Sequence, residues 1–155
     1  MDNHEKLLRN AYHFCLAGDR CMEMRKLGEN EVEILSIQAI VNYSLSFELH
    51  LKYILLRENR FEKKDKIHYT EELFKRLNEE HQVEIIDKFP QLKIKELNEL
   101  GIEFWKMLKN ESDAFVKWRY QHEAIENIHS NIGFLKDLVK WTNYIAVKYY
   151  PIKKS

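Results

Sequence analysis

Apolar side chains dominate the chain from Ile34 to Leu56, ILSIQAIVNYSLSFELHLKYILL. At roughly 100° per residue, Leu45, Leu49, Leu55 and Leu56 fall near one side of a helix, while Phe47, Leu51 and Ile54 fall toward the other. A helix that is apolar around most of its circumference belongs inside a bundle, so this stretch is the expected centre of the fold. Glu48 and Lys52 stand four residues apart, acid first, in the order that favours a helical pair. They share the sector of Leu45, Leu55 and Leu56 rather than that of His50. Two charges in that setting need partners. They form either an ordinary pair at the edge of the buried surface or half of a larger polar cluster completed from elsewhere in the chain.

The remaining periodicity predicts further helices. From His4 to about Lys26, the residues Leu7, Ala11, Phe14, Gly18 and Met22 recur at three- and four-residue steps, with Gly18 placed where two helices can approach closely. Gly28-Glu29-Asn30 reads as a stop and a new start, with Glu31 and Glu33 in the first turn of the central helix. Thr70 is a candidate N-cap for a short helix carrying Leu73, Phe74 and Leu77. Val83, Ile85, Ile86 and Phe89 mark another that Pro90 ends, and Leu97, Leu100, Phe104 and Leu108 line a longer one reaching about Asn110. Ser112-Asp113 can cap the segment that follows. Ile128, Ile132, Leu135, Val139, Thr142, Ala146 and Tyr149 trace a final long helix, with Lys136, Asp137 and Lys140 mostly toward solvent. The expected fold is all-α: an irregular antiparallel bundle of about five to six helices in one domain spanning residues 1–155.

Composition agrees with long helices and few hairpins, since the 155 residues include only four Gly and two Pro. The 25 basic and 25 acidic residues cancel, so contact with nucleic acid or an anionic membrane must come from a local patch. One candidate is Arg57, Arg60, Lys63, Lys64 and Lys66, in a segment read either as a solvated connection or as a phosphate-contacting loop. Cys15 and Cys21 would lie about two turns apart on one helix, too far for a disulfide. With no leader-like N-terminus and no apolar run of roughly 18 residues, a cytoplasmic setting without membrane contact is expected.

The chemistry-bearing motifs are few. Glu126-Asn-Ile-His129 has the spacing that di-iron bundles use twice, but it occurs once, and His122 and His129 would sit roughly 10 Å apart on a helix; no metal site and no cofactor are expected. Glycine-rich phosphate loops, nucleophile elbows and paired Cys-x-x-Cys motifs are absent. What remains is Glu48 and Lys52 on the central helix, and Arg119 and Glu123 beside Trp118 and Tyr120. An arginine between large aromatics calls for a carboxylate or a phosphate. One reading makes the four charges a single structural network between the central helix and the start of the last. The other makes Arg119 and Lys52 the positive groups of an anion or nucleotide site.

The order of features resembles bacterial proteins of the HEPN-like class: SFELHLKYILL on a long early helix, then His68 ahead of a short EELFKRL helix, then FVKWRYQHE leading into the last helix. The resemblance covers most of the chain, with Trp-Arg-Tyr-x-x-Glu and Glu-x-x-x-Lys its more specific parts. It implies a dimeric helical bundle that serves toxin–antitoxin or phage-defence systems as a metal-independent ribonuclease, or that partners nucleotidyltransferases. Active members carry an Arg separated from a His by four to six residues near the start of the last core helix. Here Arg119 is followed by His122 after two residues, whereas Arg76 and His81 match the spacing on the middle helices. The residues expected to act are therefore Arg119, holding a phosphate, and His122, transferring protons in the range where imidazole is useful. Glu48, Lys52, His68 and Glu123 are the expected binding positions. Expected partners are RNA or a nucleotide, an antitoxin or nucleotidyltransferase, and a second copy of the chain. The rival expectation is a non-catalytic interaction module in which the charged cluster is architecture.

Overall fold

The computed structural model describes residues 3–29, 31–61, 68–89, 103–112 and 130–152. Of these, 73 % are helical, and the only sheet among them has two strands of two residues each. The chain runs α1 (Asn3–Cys21), β1 (Arg25–Lys26), β2 (Val32–Glu33), α2 (Ser36–Arg57), α3 (Thr70–Lys75), α4 (Glu79–Ile86), α5 (helical residues 103–112) and α6 (Ile132–Tyr149). This is the all-α bundle of the expected size.

α2 is the centre. It buries Ala39, Ile40, Tyr43, Phe47, Leu51, Tyr53, Ile54 and Leu55, which between them occupy most of its circumference. α1 and α6 pack against it along their lengths and α3 near its C-terminal end. α6 contributes Phe134, Leu135, Leu138, Val139, Ile145 and Ala146. The shorter elements close the core through an aromatic cluster: Phe104 on α5 lies 5.3 Å from Phe74, 5.3 Å from Phe89 and 5.7 Å from Phe134, centroid to centroid. Tilted and edge-on rings at such spacings are favourable beyond their buried area.

Three expected boundaries move. α1 ends at Cys21 rather than near Lys26, and the following residues reverse through a small antiparallel hairpin that pairs Arg25 with Glu33 and Lys26 with Val32. Met24, Arg25 and Lys26 are all exposed, so nothing apolar holds them in a longer helix, whereas the reversal supplies backbone bonds such as Leu27 N–H to Glu31 O at 3.0 Å. Glu31 and Glu33 consequently precede α2 instead of occupying its first turn. Thr70 is the first helical residue and buried, not the cap; Tyr69 takes that position without a side-chain bond. The first turn of α3 is served from a distance, by Ser112 Oγ accepting from Glu71 N–H at 3.1 Å.

Gly18 lets α1 and α2 approach. A Cβ built there would stand 2.7 Å from Cε1 and 2.8 Å from Cδ1 of Tyr43, whose ring is fully buried. Tyr43 cannot withdraw freely, because its hydroxyl donates to Asp19 Oδ1 at 2.8 Å. Gly18→Ala is therefore expected to destabilise the fold by about 1–3 kcal/mol, as overpacking does, despite the better helix propensity of alanine. Urea unfolding followed by circular dichroism measures it, and an unchanged or raised midpoint would contradict the close approach.

Candidate functional site

Glu48 and Lys52 sit one turn apart on α2, and Glu48 is 3 % exposed. The Lys52 ammonium donates to Glu48 Oε1 at 2.6 Å and lies 5.8 Å from the Phe61 ring centroid. His68, in the extended chain just before α3, brings Nδ1 to 3.1 Å from the same carboxylate oxygen. That contact requires Nδ1 to carry a proton, so in the neutral ring Nε2 holds the lone pair. The His68 side chain is 55 % exposed, which leaves the rest of the ring open to solvent. Glu48 Oε2 is buried and has no hydrogen-bond partner among the described residues, a state that costs roughly 1–3 kcal/mol where it holds. The arrangement is chemically a carboxylate-oriented imidazole beside an ammonium.

Of the residues expected from sequence to bind, Glu48, Lys52 and His68 thus meet at one place. Arg119, His122 and Glu123 lie outside the described residues, as do Trp118, Tyr120, Glu126 and His129. Arg76 and His81 do not form a site together. Arg76 is exposed at the end of α3, whereas His81 is 4 % exposed. Its Nδ1 is 2.7 Å from Glu58 Oε1. In the basic segment, Arg57 and Arg60 are exposed. The Arg60 guanidinium donates to the Arg76 carbonyl at 3.3 Å and stands 3.9 Å from Glu58, while residues 62–67 lie outside the described part.

Two further polar clusters escaped the sequence reading. Glu58, just past α2, accepts from His81, from the Asn78 backbone N–H at 3.2 Å and from the Tyr150 hydroxyl at 3.3 Å. It binds the end of α2 to the start of α4 and the end of α6. The second is His50, fully buried. Its Nδ1 is 2.9 Å from the Ser46 carbonyl and its Nε2 is 3.2 Å from Asn143 Oδ1 on α6. Burial pulls the His50 imidazole down to about 4, against the opposing bond to the Ser46 carbonyl. A neutral ring that donates Nδ1–H to Ser46 keeps its lone pair on Nε2. The Asn143 amide then meets that lone pair with its NH2, after a half turn about its terminal bond. Neither cluster has a local spacing signal, since the partners are 23 and 93 residues apart.

Comparison with known protein families, with curated proteins and with solved structures gives no match. Among the described residues no three His, Cys, Asp or Glu are grouped to hold a metal ion. No described helix is long and apolar enough to cross a membrane. Cys15 and Cys21 are both free thiols.

His50 makes stability pH-dependent. Its folded value lies below the ordinary value of 6.5, so its neutral form is the one that folding favours. That contribution is fully present above about pH 6.5, erodes below it and is gone below about pH 4. A displacement of this size corresponds to about 3 kcal/mol. Denaturant titrations across this range are expected to show the wild-type midpoint falling with pH more steeply than that of His50→Gln. Equal slopes in the two proteins would refute this origin.

Proposed function

We propose that this chain is a HEPN-like protein of a bacterial defence or toxin–antitoxin system, cytoplasmic, and that it acts on RNA as a metal-independent ribonuclease. The observation that supports the reading is the Glu48–His68 pair: a buried carboxylate orients an exposed imidazole, with the Lys52 ammonium on the same carboxylate oxygen. Metal-independent RNA cleavage needs a base to take the proton from a ribose 2′-hydroxyl as its oxygen attacks phosphorus, and an acid to return a proton to the departing 5′-oxygen. In this reading His68 Nε2, on a ring whose side chain is exposed, makes one of these transfers. Arg119 and His122, which the resemblance brings in, supply the phosphate contact and the second transfer. RNA is the substrate, and the partners are a second copy of the chain and an antitoxin or nucleotidyltransferase.

A second reading has its own observation. Glu48 Oε1 already serves both Lys52 and His68, which is how a charge-compensated structural cluster would look, and then the protein is a non-catalytic interaction module. Incubation with mixed RNA in EDTA separates the two. The ribonuclease reading expects EDTA-resistant cleavage by the wild type that is lost in His68→Ala and in the Arg119→Ala, His122→Ala double variant. Absence of cleavage together with absence of RNA binding at low salt, where phosphate contacts are strongest, would select the interaction module.

The dimer is tested separately. Tyr144 and Tyr149 on α6 are exposed, while Trp141 and Tyr150 pack partly against the core, and exposed aromatic side chains are common in interface cores. Light scattering over a concentration series is expected to give about twice the chain mass of 18.9 kDa. A mass near 18.9 kDa throughout would rule the dimer out.

A further inference from the structure

α1 and α6 both pack on α2 but touch each other little, and the furrow left between them is a cavity of about 350 Å3. That volume is at the small end of ligand sites, which run from about 300 to 1,000 Å3. Its floor is His50 and Val139, both buried. Its lining includes a half-exposed ion pair. Lys136 Nζ lies 2.7 Å from Asp19 Oδ1, which also accepts from Tyr43. Burial works against ionisation of Asp19, yet these two hydrogen bonds hold its carboxyl below the ordinary range. The Tyr12 ring, 51 % exposed, forms part of the wall.

The charges lining the furrow cancel, two acids against two bases, so the site does not favour a phosphate or any other net anion. Asp19 and Lys136 satisfy each other. Asp137 and Lys140, one turn apart at the mouth, have no ion-pair partner among the described residues. The Asp137 carboxylate, unpaired among the described residues, beside the Lys140 ammonium, which rests 4.5 Å from the Trp141 ring centroid and has no carboxylate of its own among them, matches a zwitterion. The floor adds a requirement of its own. With the Asn143 amide turned so that its NH2 meets His50 Nε2, its carbonyl oxygen is left as an acceptor for a ligand N–H or O–H.

We infer that the furrow between α1 and α6 binds a free aromatic amino acid whose ring carries a donor, of the tryptophan or tyrosine kind. Its ammonium meets Asp137, its carboxylate meets Lys140, and its ring lies between Tyr12 and Val139 with the ring N–H or O–H toward Asn143. Phenylalanine fits the same space but leaves that acceptor unpaired, so it binds more weakly.

The probe is L-tryptophan, titrated calorimetrically into the full chain at millimolar concentrations. N-acetyl-L-tryptophan amide, which lacks both charges, and inorganic phosphate serve as comparison ligands. Saturable binding of L-tryptophan alone is expected, and Asp137→Asn or Lys140→Gln should each weaken it about two- to fivefold, the loss of one solvent-facing charge contact. Cys15 also lines the furrow, so L-tryptophan should slow alkylation of Cys15 and leave Cys21 unchanged. The inference is overturned if no saturable binding occurs. It is equally overturned if both variants bind like the wild type, if the amide or phosphate binds as well, or if Cys15 is not protected. None of these outcomes depends on RNA cleavage, so this site and the proposed ribonuclease can fail separately.

Discussion

Burying α2 on nearly every side imposes one constraint on the rest of the molecule: a polar group that α2 carries inward loses solvent and gains by meeting another element, as most of them do, with Ser44 Oγ and Glu48 Oε2 left without a partner among the described residues. Tyr43 finds Asp19 on α1, and Ser46 Oγ donates to the Ala11 carbonyl at 2.7 Å. His50 finds Asn143 on α6, and the Tyr53 hydroxyl donates to the Tyr150 carbonyl at 2.6 Å. Apolar packing is tolerant of small slides along a helix axis, because one methyl group replaces another at little cost. Hydrogen bonds are not, because a buried group that misses its partner loses its solvation as well. The polar groups therefore fix where α1 and α6 lie along α2, while the apolar ones supply most of the attraction.

The same constraint explains how the short elements are held. α3 has no capping side chain of its own and borrows Ser112 from the end of α5. α6 has one, since Asn131 Oδ1 accepts from Phe134 N–H at 3.0 Å. Glu111 extends that start by accepting from Asn131 N–H at 2.7 Å and from the Ser130 hydroxyl. Burial pushes the Glu111 carboxyl above its ordinary range, and these two bonds oppose the shift. α5 thus serves two helix beginnings, one through Ser112 and one through Glu111, and stands between them with Phe104 in the aromatic cluster. A helix of modest length is anchored by what it offers its neighbours as much as by its own apolar face.

This division marks what the sequence could disclose. Periodicity reports a contiguous face, so the placement of α1, α2 and α6, the close approach at Gly18 and the Glu48–Lys52 pair were all legible from local spacing. His68 was legible only as a position in a resembling pattern. The hairpin after Cys21 was not, because two-residue strands carry no alternation to detect and Gly28 reads equally as a helix stop. His50 and the pair of Glu58 and His81 were invisible for a different reason. Nothing in the neighbourhood of His50 along the chain distinguishes a buried imidazole from one on a helix surface; the distinction is made by Asn143, on the last helix. Long-range polar partnerships leave no trace in the spacing of either partner.

Glu48 and Glu58 make the sharpest comparison within one molecule. Both stem from the second half of α2 or its immediate end, both are nearly buried, and both hold a histidine by Nδ1. Glu58 uses both carboxylate oxygens, against His81, Asn78 N–H and Tyr150, and its histidine is enclosed between Tyr149 and Tyr150 at 4.6 and 5.8 Å. Among the described residues Glu48 uses one oxygen, leaves the other unpaired, and holds a histidine whose side chain is about half exposed. A cluster selected only for holding helices together gains by satisfying every atom and covering the ring, as Glu58 does. Retaining an unsatisfied buried oxygen while leaving the imidazole accessible forgoes stability that the fold achieves about three helical turns away. That difference is why the proposed chemistry rests on the Glu48–His68 pair and not on the better bonded Glu58–His81 pair.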